Sequence, residues 1–118
     1  MGPPIELIVA NVASTDITVV LKITKVRKVR TEGVYSTWEL GATVIRPFKG
    51  SLLAGERIEY LRTMETGFPA PPVGSRHIVS FVREGSRLVI PDVGYHFQHS
   101  PRLEQRLAAE LASPQHQR

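Results

Sequence analysis

Residues 19–38 read VVLKITKVRKVR, then TEG, then VYSTW. Val19, Leu21 and Ile23 alternate with polar residues, the period of a strand with one buried face. The next apolar residue, Val26, has the wrong parity. One extra residue between 23 and 26 restores the pattern, and a β-bulge inserts one. A bulged, curled first strand suits a small barrel, where one strand serves two sheets. Glu32-Gly33 is a turn signal, so a hairpin follows.

The second strand runs from Val34. Ser36, Trp38, Leu40, Ala42 and Val44 fall on one face, and Tyr35, Thr37, Glu39, Thr43 and Ile45 on the other. Gly41 in mid-strand marks a bend or a close approach. Pro47 is expected to end the pairing, having no N–H to give the ladder. A third strand is expected over 56–63, with Ile58, Tyr60 and Arg62 on one face and Leu61 on the other. Met64–Gly74 carries Gly67, Pro69, Pro71, Pro72 and Gly74 and reads as a long loop. A fourth strand, 75–82, puts Ile78 and Val82 opposite Val79 and Phe81. A fifth covers 87–90, and after an interruption at Pro91–Gly94 it resumes at Tyr95–Phe97.

The flanks are helical. Ile5–Ala13 is apolar at 5, 8, 9 and 12, the spacing of a helix, though its β-branched residues also admit an irregular strand. Ser100-Pro101 is an N-cap followed by proline at the first helical position. Leu103, Leu107 and Leu111 then form one stripe, expected to pack on the barrel. The expectation is one domain over 1–118: a mainly β, five-stranded OB-like Greek-key barrel with its core at about 15–98, a C-terminal helix at about 101–112 and a polar tail at 113–118.

With 118 residues the chain is long enough for a core of its own. Lacking cysteine, it has no disulfide and no thiolate metal site. Lys and Arg outnumber Asp and Glu by 15 to 11. No run of apolar residues is long enough to span a bilayer. The first four residues lack the basic and apolar regions of a signal peptide, so the chain is either made without one or begins after it. The location is accordingly periplasmic or secreted if a leader was removed, and cytoplasmic otherwise.

The basic strand presents Lys22, Lys25, Arg27, Lys28 and Arg30 with no acid between them. Such a row can track phosphates while aromatic rings stack on bases. Tyr35 and Tyr60 are the candidate platforms. Trp38 shares its face with Leu40, Ala42 and Val44, which makes it a core residue. A solvated strand guarded by lysine accounts for the same cations. With Arg62 and Phe68 these residues make up the candidate binding surface. His77, His96, His99 and Asp92 are the candidate metal ligands, but the spacing fits no zinc motif. Ser100, His96 and Asp92 lack the surroundings of a nucleophile. No phosphate-binding glycine loop is present, no cofactor is expected, and the chain does not read as an enzyme.

Four stretches carry a family likeness: Thr15–Arg27, Arg46-Pro-Phe-Lys-Gly50, Ala54-Gly-Glu-Arg-Ile58 and Val73–Val82. Their order resembles the netrin-like OB domains, which include the inhibitory domain of tissue inhibitors of metalloproteinases and stand-alone bacterial relatives. The likeness covers about residues 15–98. It implies the fold and a tendency to bind proteins. The inhibitors use an amino-terminal cysteine on the protease zinc; a chain without cysteine cannot do that, and no family site residue maps here. The proline-rich loop, where nucleic-acid OB modules carry a helix, favours the netrin-like form. A protein partner is therefore the leading expectation, with single-stranded nucleic acid as the alternative.

Overall fold

The computed structural model describes residues 4–113; the first three residues and the tail beyond 113 lie outside it. Its elements, in chain order, are α1 (Ile5–Ser14), β1 (Ile17–Glu32), β2 (Tyr35–Lys49), β3 (Arg57–Glu65), β4 (Arg76–Glu84), β5 (Arg87–Val89), a 3₁₀ turn at Val93–Tyr95, β6 (His96–Gln98) and α2 (Pro101–Leu111). The strands form one antiparallel sheet in the order β3-β2-β1-β4-β5, with β6 also on β4. No ladder joins β3 to β5, so the sheet is not closed.

β1 decides this arrangement. Its first half pairs with both neighbours: Ile17–Lys22 lies against β4 and, from Thr18 on, against β2. Val19, Leu21 and Ile23 are fully buried, and so is Val20 on the opposite face. The register slips between Ile23 and Lys25, where the parity of the sequence breaks. Beyond that bulge β1 pairs only with β2. With β3 the three strands then form a wing reaching past the end of β4. Gly41 sits opposite Lys25 at the bulge, where an added Cβ would lie 3.1 Å from Lys25 Cβ. The close approach expected of a mid-strand glycine is there.

Two cores flank the sheet. On one side Leu21, Ile23, Leu40, Val44, Tyr60 and Phe81 interdigitate with their neighbours. On the other, Val20 and Ile78 meet Ile5, Ile8 and Val12 of α1 and Leu103 and Leu107 of α2. The first segment is thus a helix despite its β-branched residues, because its apolar stripe finds a surface to cover. Lys49 Nζ donates to the carbonyls of Val12 and Thr15, satisfying the C-terminal end of α1. Ser100 caps α2 through a bond from Leu103 N, with Pro101 at the first position, as its sequence signature says. Both helices therefore contribute to this second core.

Two expectations need correction. β2 does not stop at Pro47 but continues to Lys49, because register slips around Val19 and Val20 place the proline in a bulged stretch. Among the described residues there are six strands rather than five. β5 and β6 both lie along the same edge of β4, Val82–Glu84 facing β5 and His77–Val79 facing β6. They are one expected strand, broken by a six-residue excursion. Asn11 of α1 pins this excursion with a 2.7 Å bond to the carbonyl of Gly94.

Candidate functional site

The outer face of the wing carries Lys25 and Arg27 of the basic row, and strand pairing supplies the row with acids. Lys25 lies 3.8 Å from Glu39 and 3.5 Å from Glu59, and Arg27 lies 3.1 Å from Glu39. Arg30 is paired with Glu32, at 2.6 Å. Three of the five cations are thus neutralised by carboxylates of β2, β3 and the hairpin end. Each such exposed pair contributes little to stability. Together they remove most of the positive field the sequence displays. Lys28 lies instead over the ring of Trp38, 5.2 Å from its centroid, and Lys22 is exposed.

The candidate aromatics divide. Tyr35 is 53% exposed and Phe68 59%. Tyr60 is 3% exposed and belongs to the core, so it is no platform for a base. The alternation that places it beside Ile58 turns that whole face inward. Trp38 packs against the same core. Its indole Nε1 and the neighbouring Arg62 Nε are buried without a hydrogen-bond partner. Trp38 and Arg62 face each other across the β2–β3 ladder.

A polar cluster fills the inner end of the wing. The Tyr60 hydroxyl is 2.9 Å from His96 Nε2, a bond that crosses from β3 to β6 between the unpaired lanes of the sheet. The rings of His77 and His96 lie 4.8 Å apart, and Ser75 bonds His77 at 2.8 Å. Burial, then the charges of Arg62 and His77, push His96 down to about 2. Burial, then Arg62 and His99, bring His77 down to about 4. Both imidazoles are therefore neutral at physiological pH. With the imidazole neutral, Nε2 accepts from the phenol when the ring proton sits on Nδ1. Burial raises the Tyr60 hydroxyl well above the ordinary phenol range, against the pull of Arg62, so it stays protonated and able to donate. Burial also lowers Arg62, with Tyr60 opposing.

The histidines weighed as metal ligands do not converge on Asp92. His77 and His96 face each other, whereas His99 bonds Glu104 of α2 at 2.7 Å and Asp92 caps the 3₁₀ turn through Val93 N. Burial would raise the Glu104 carboxyl, but hydrogen bonds from Arg46 and His99 outweigh it and hold it low. Among the described residues no group of three or more His, Cys, Asp or Glu is placed to hold a metal ion. Among those residues, too, no helix is long and apolar enough to cross a membrane.

Some of the exposed apolar side chains gather at the hairpin end. Thr66 N bonds the carbonyl of Val34 at 2.6 Å, and Phe68 N bonds that of Glu65 at 3.2 Å. Tyr35 is paired with Glu65. These bonds bring the start of the long loop to the hairpin end, where Val34, 67% exposed, joins Tyr35 and Phe68. Arg30, Glu32 and Glu65 are the charged residues around them. The sequence points to Tyr35 and Phe68, and its alternation makes Val34 the beginning of a strand. It is part of the turn instead, and its exposure there is the signal.

A groove of about 1070 Å³ runs between β3 and the Arg83–Val93 segment, lined by Tyr60, Leu61, Arg62, Arg87, Leu88 and Val93 among others. Compared with known proteins, the chain matches no family model and no curated protein.

Proposed function

We propose that this protein is a non-enzymatic protein-binding module on an OB-like barrel, and that Val34, Tyr35 and Phe68 at the end of the wing are its contact surface. The barrel reading is supported by the strand order: β1 lies between β2 and β4, and the outer lanes, β3 and β5–β6, face each other across a groove bridged by Tyr60 and His96. OB barrels are commonly partly open. The connector between β3 and β4 carries no helix, in keeping with a netrin-like form.

The observation that carries the binding reading is the exposure of two aromatic side chains and a valine at one end, within a charged rim. Aromatic anchors surrounded by polar residues are the usual composition of a binding hot spot. The nucleic-acid reading has lost Tyr60 as a platform and most of its free charge.

The test is a photo-reactive residue at position 68 of the full chain, followed by purification of the captured protein. Its affinity for the wild type is then compared with that for Tyr35→Ala and Phe68→Ala. Each substitution is expected to weaken binding by about tenfold or more. Unchanged affinity in both variants would refute the assignment. A single-stranded oligonucleotide at low salt is expected to leave Trp38 fluorescence unaltered; saturable quenching would move the reading to nucleic acid.

A further inference from the structure

The groove between β3 and the Arg83–Val93 segment holds a charge that the protein leaves unanswered. β5 lies along β3 with Cα atoms within 8 Å, so the groove admits no further strand. Its volume of about 1070 Å³ suits a small molecule instead. Leu52, Ile58, Leu61, Leu88, Ile90 and Val93 supply its apolar lining. Leu61 and Val93 are 37% and 65% exposed, so part of that lining faces water.

Most of the charged groups along the groove are engaged. Glu39 is held by Lys25 and Arg27, and Glu59 by Lys25. Glu56 accepts from Leu53 N, Asp92 accepts from Val93 N, and Arg83 donates to Ser51 Oγ. Glu65 and Arg87 are exposed, where water solvates them. Arg62 is the exception. It is half-buried, and among the described residues no carboxylate lies within 4 Å of it. Its Nε is buried without an acceptor. Its charge acts on Tyr60, His77 and His96, and none of these neutral groups balances it. Withdrawing a guanidinium from water without a counter-charge is costly. Its planar fork is shaped to hold a carboxylate through two parallel bonds.

We propose that the groove binds a small amphipathic monocarboxylate, its carboxylate on Arg62 and its apolar chain along Leu61, Leu88 and Val93. The acids on the rim disfavour a multiply charged ligand such as a phosphate monoester, which restricts the class to singly charged acids with an apolar body. The inference does not rest on the hairpin end, and either reading can fail alone.

Calorimetric titration of the full chain with octanoate tests it. Saturable binding of about one octanoate per chain is expected. The emission of Trp38, which faces Arg62 across the ladder, should change with it. Octanol has the chain without the charge, and acetate the charge without the chain; each should bind at least about tenfold more weakly. Arg62→Met should weaken octanoate binding by about tenfold or more and erase its advantage over octanol. Val93→Glu, which adds an acid beside the chain, should also weaken it. Without ligand, Arg62→Met should raise the urea midpoint, because it removes an uncompensated charge. Near-ultraviolet dichroism of Trp38 checks that each variant is folded. Absence of octanoate binding overturns the inference. So does octanol binding as tightly as octanoate, or an affinity indifferent to Arg62→Met or to Val93→Glu. A lower urea midpoint in Arg62→Met would show that the guanidinium is already satisfied within the chain, and would overturn it too. Should Arg62→Met not fold, the comparison of octanoate with octanol on the wild type decides.

Discussion

At the scale of single residues, the bond between Tyr60 and His96 matters because it joins two lanes that share no ladder. Burial, with Arg62 nearby, keeps the His96 imidazole neutral. The consequence for pH follows. In the unfolded chain both histidines take up a proton near 6.5; in the folded chain His77 does so only near 4 and His96 near 2. Between those limits the unfolded state holds more protons, so stability is full above about pH 6.5 and declines as the pH falls below it. Urea midpoints measured from pH 8 down to 4.5 should show this decline beginning before ordinary carboxylates titrate. His96→Leu should lower the midpoint at pH 8, because the Tyr60 hydroxyl loses its acceptor at a cost of about 1–3 kcal/mol. It should also flatten the acid limb. A limb as steep as that of the wild type would mean that His96 is not the titrating group.

At the scale of elements, two glycines at turns are held to glycine for different reasons. Gly33 has φ +60 with nothing within 4 Å of an added Cβ. Gly50 has φ +97, and an added Cβ would come within 2.7 Å of Ile17 Cγ1 and 2.8 Å of the Asp16 carbonyl. Asparagine tolerates the left-handed region better than other side chains. Gly33→Asn should therefore cost less than about 1 kcal/mol, whereas Gly50→Asn should cost about 2 kcal/mol or more, read from thermal or urea unfolding. Equal costs would mean that the contact at Ile17 relaxes freely.

This scale also shows what the sequence could carry. Parity located the β1 bulge, alternation put Leu40, Ala42 and Val44 together on the core face, and Ser100-Pro101 marked the start of α2. All of these are local patterns. The acids facing Lys25 and Arg27 are not local. Glu39 and Glu59 meet the cations only once register is set by hairpin geometry and a slip at the bulge. A row of cations without acids along the chain became a row of ion pairs across it. The histidine cluster was hidden for the same reason, since Tyr60, His77 and His96 come from three strands. Tyr60 could have been removed from the binding surface by its alternation with Ile58 alone.

At the scale of the whole molecule, the long dimension of 45 Å against 31 and 25 Å is in keeping with a wing that projects from a two-sided core. The sheet is covered on one face by α1 and α2 and packs a second core on the other, so folding has two apolar cores to draw on away from the end of the wing. What remains exposed and apolar at the far end is therefore not needed for folding. Replacing Tyr35 and Phe68 together by alanine should leave the unfolding midpoint within about 0.5 kcal/mol of the wild type. A larger loss would make them structural residues and deprive the end of the wing of its proposed role.

β1 passes through both regimes within sixteen residues. Between Thr18 and Lys22 its amides are enclosed by ladders on either side and by apolar layers above and below. Past the bulge one flank is open to water. In deuterium exchange the early amides should open only with the entire molecule, while those from Lys25 onward should exchange through smaller fluctuations, faster by orders of magnitude. Uniform protection along β1 would contradict this. A continuous strand is thus divided into an anchor and an arm. Opening of the arm then leaves the fold held by the anchor.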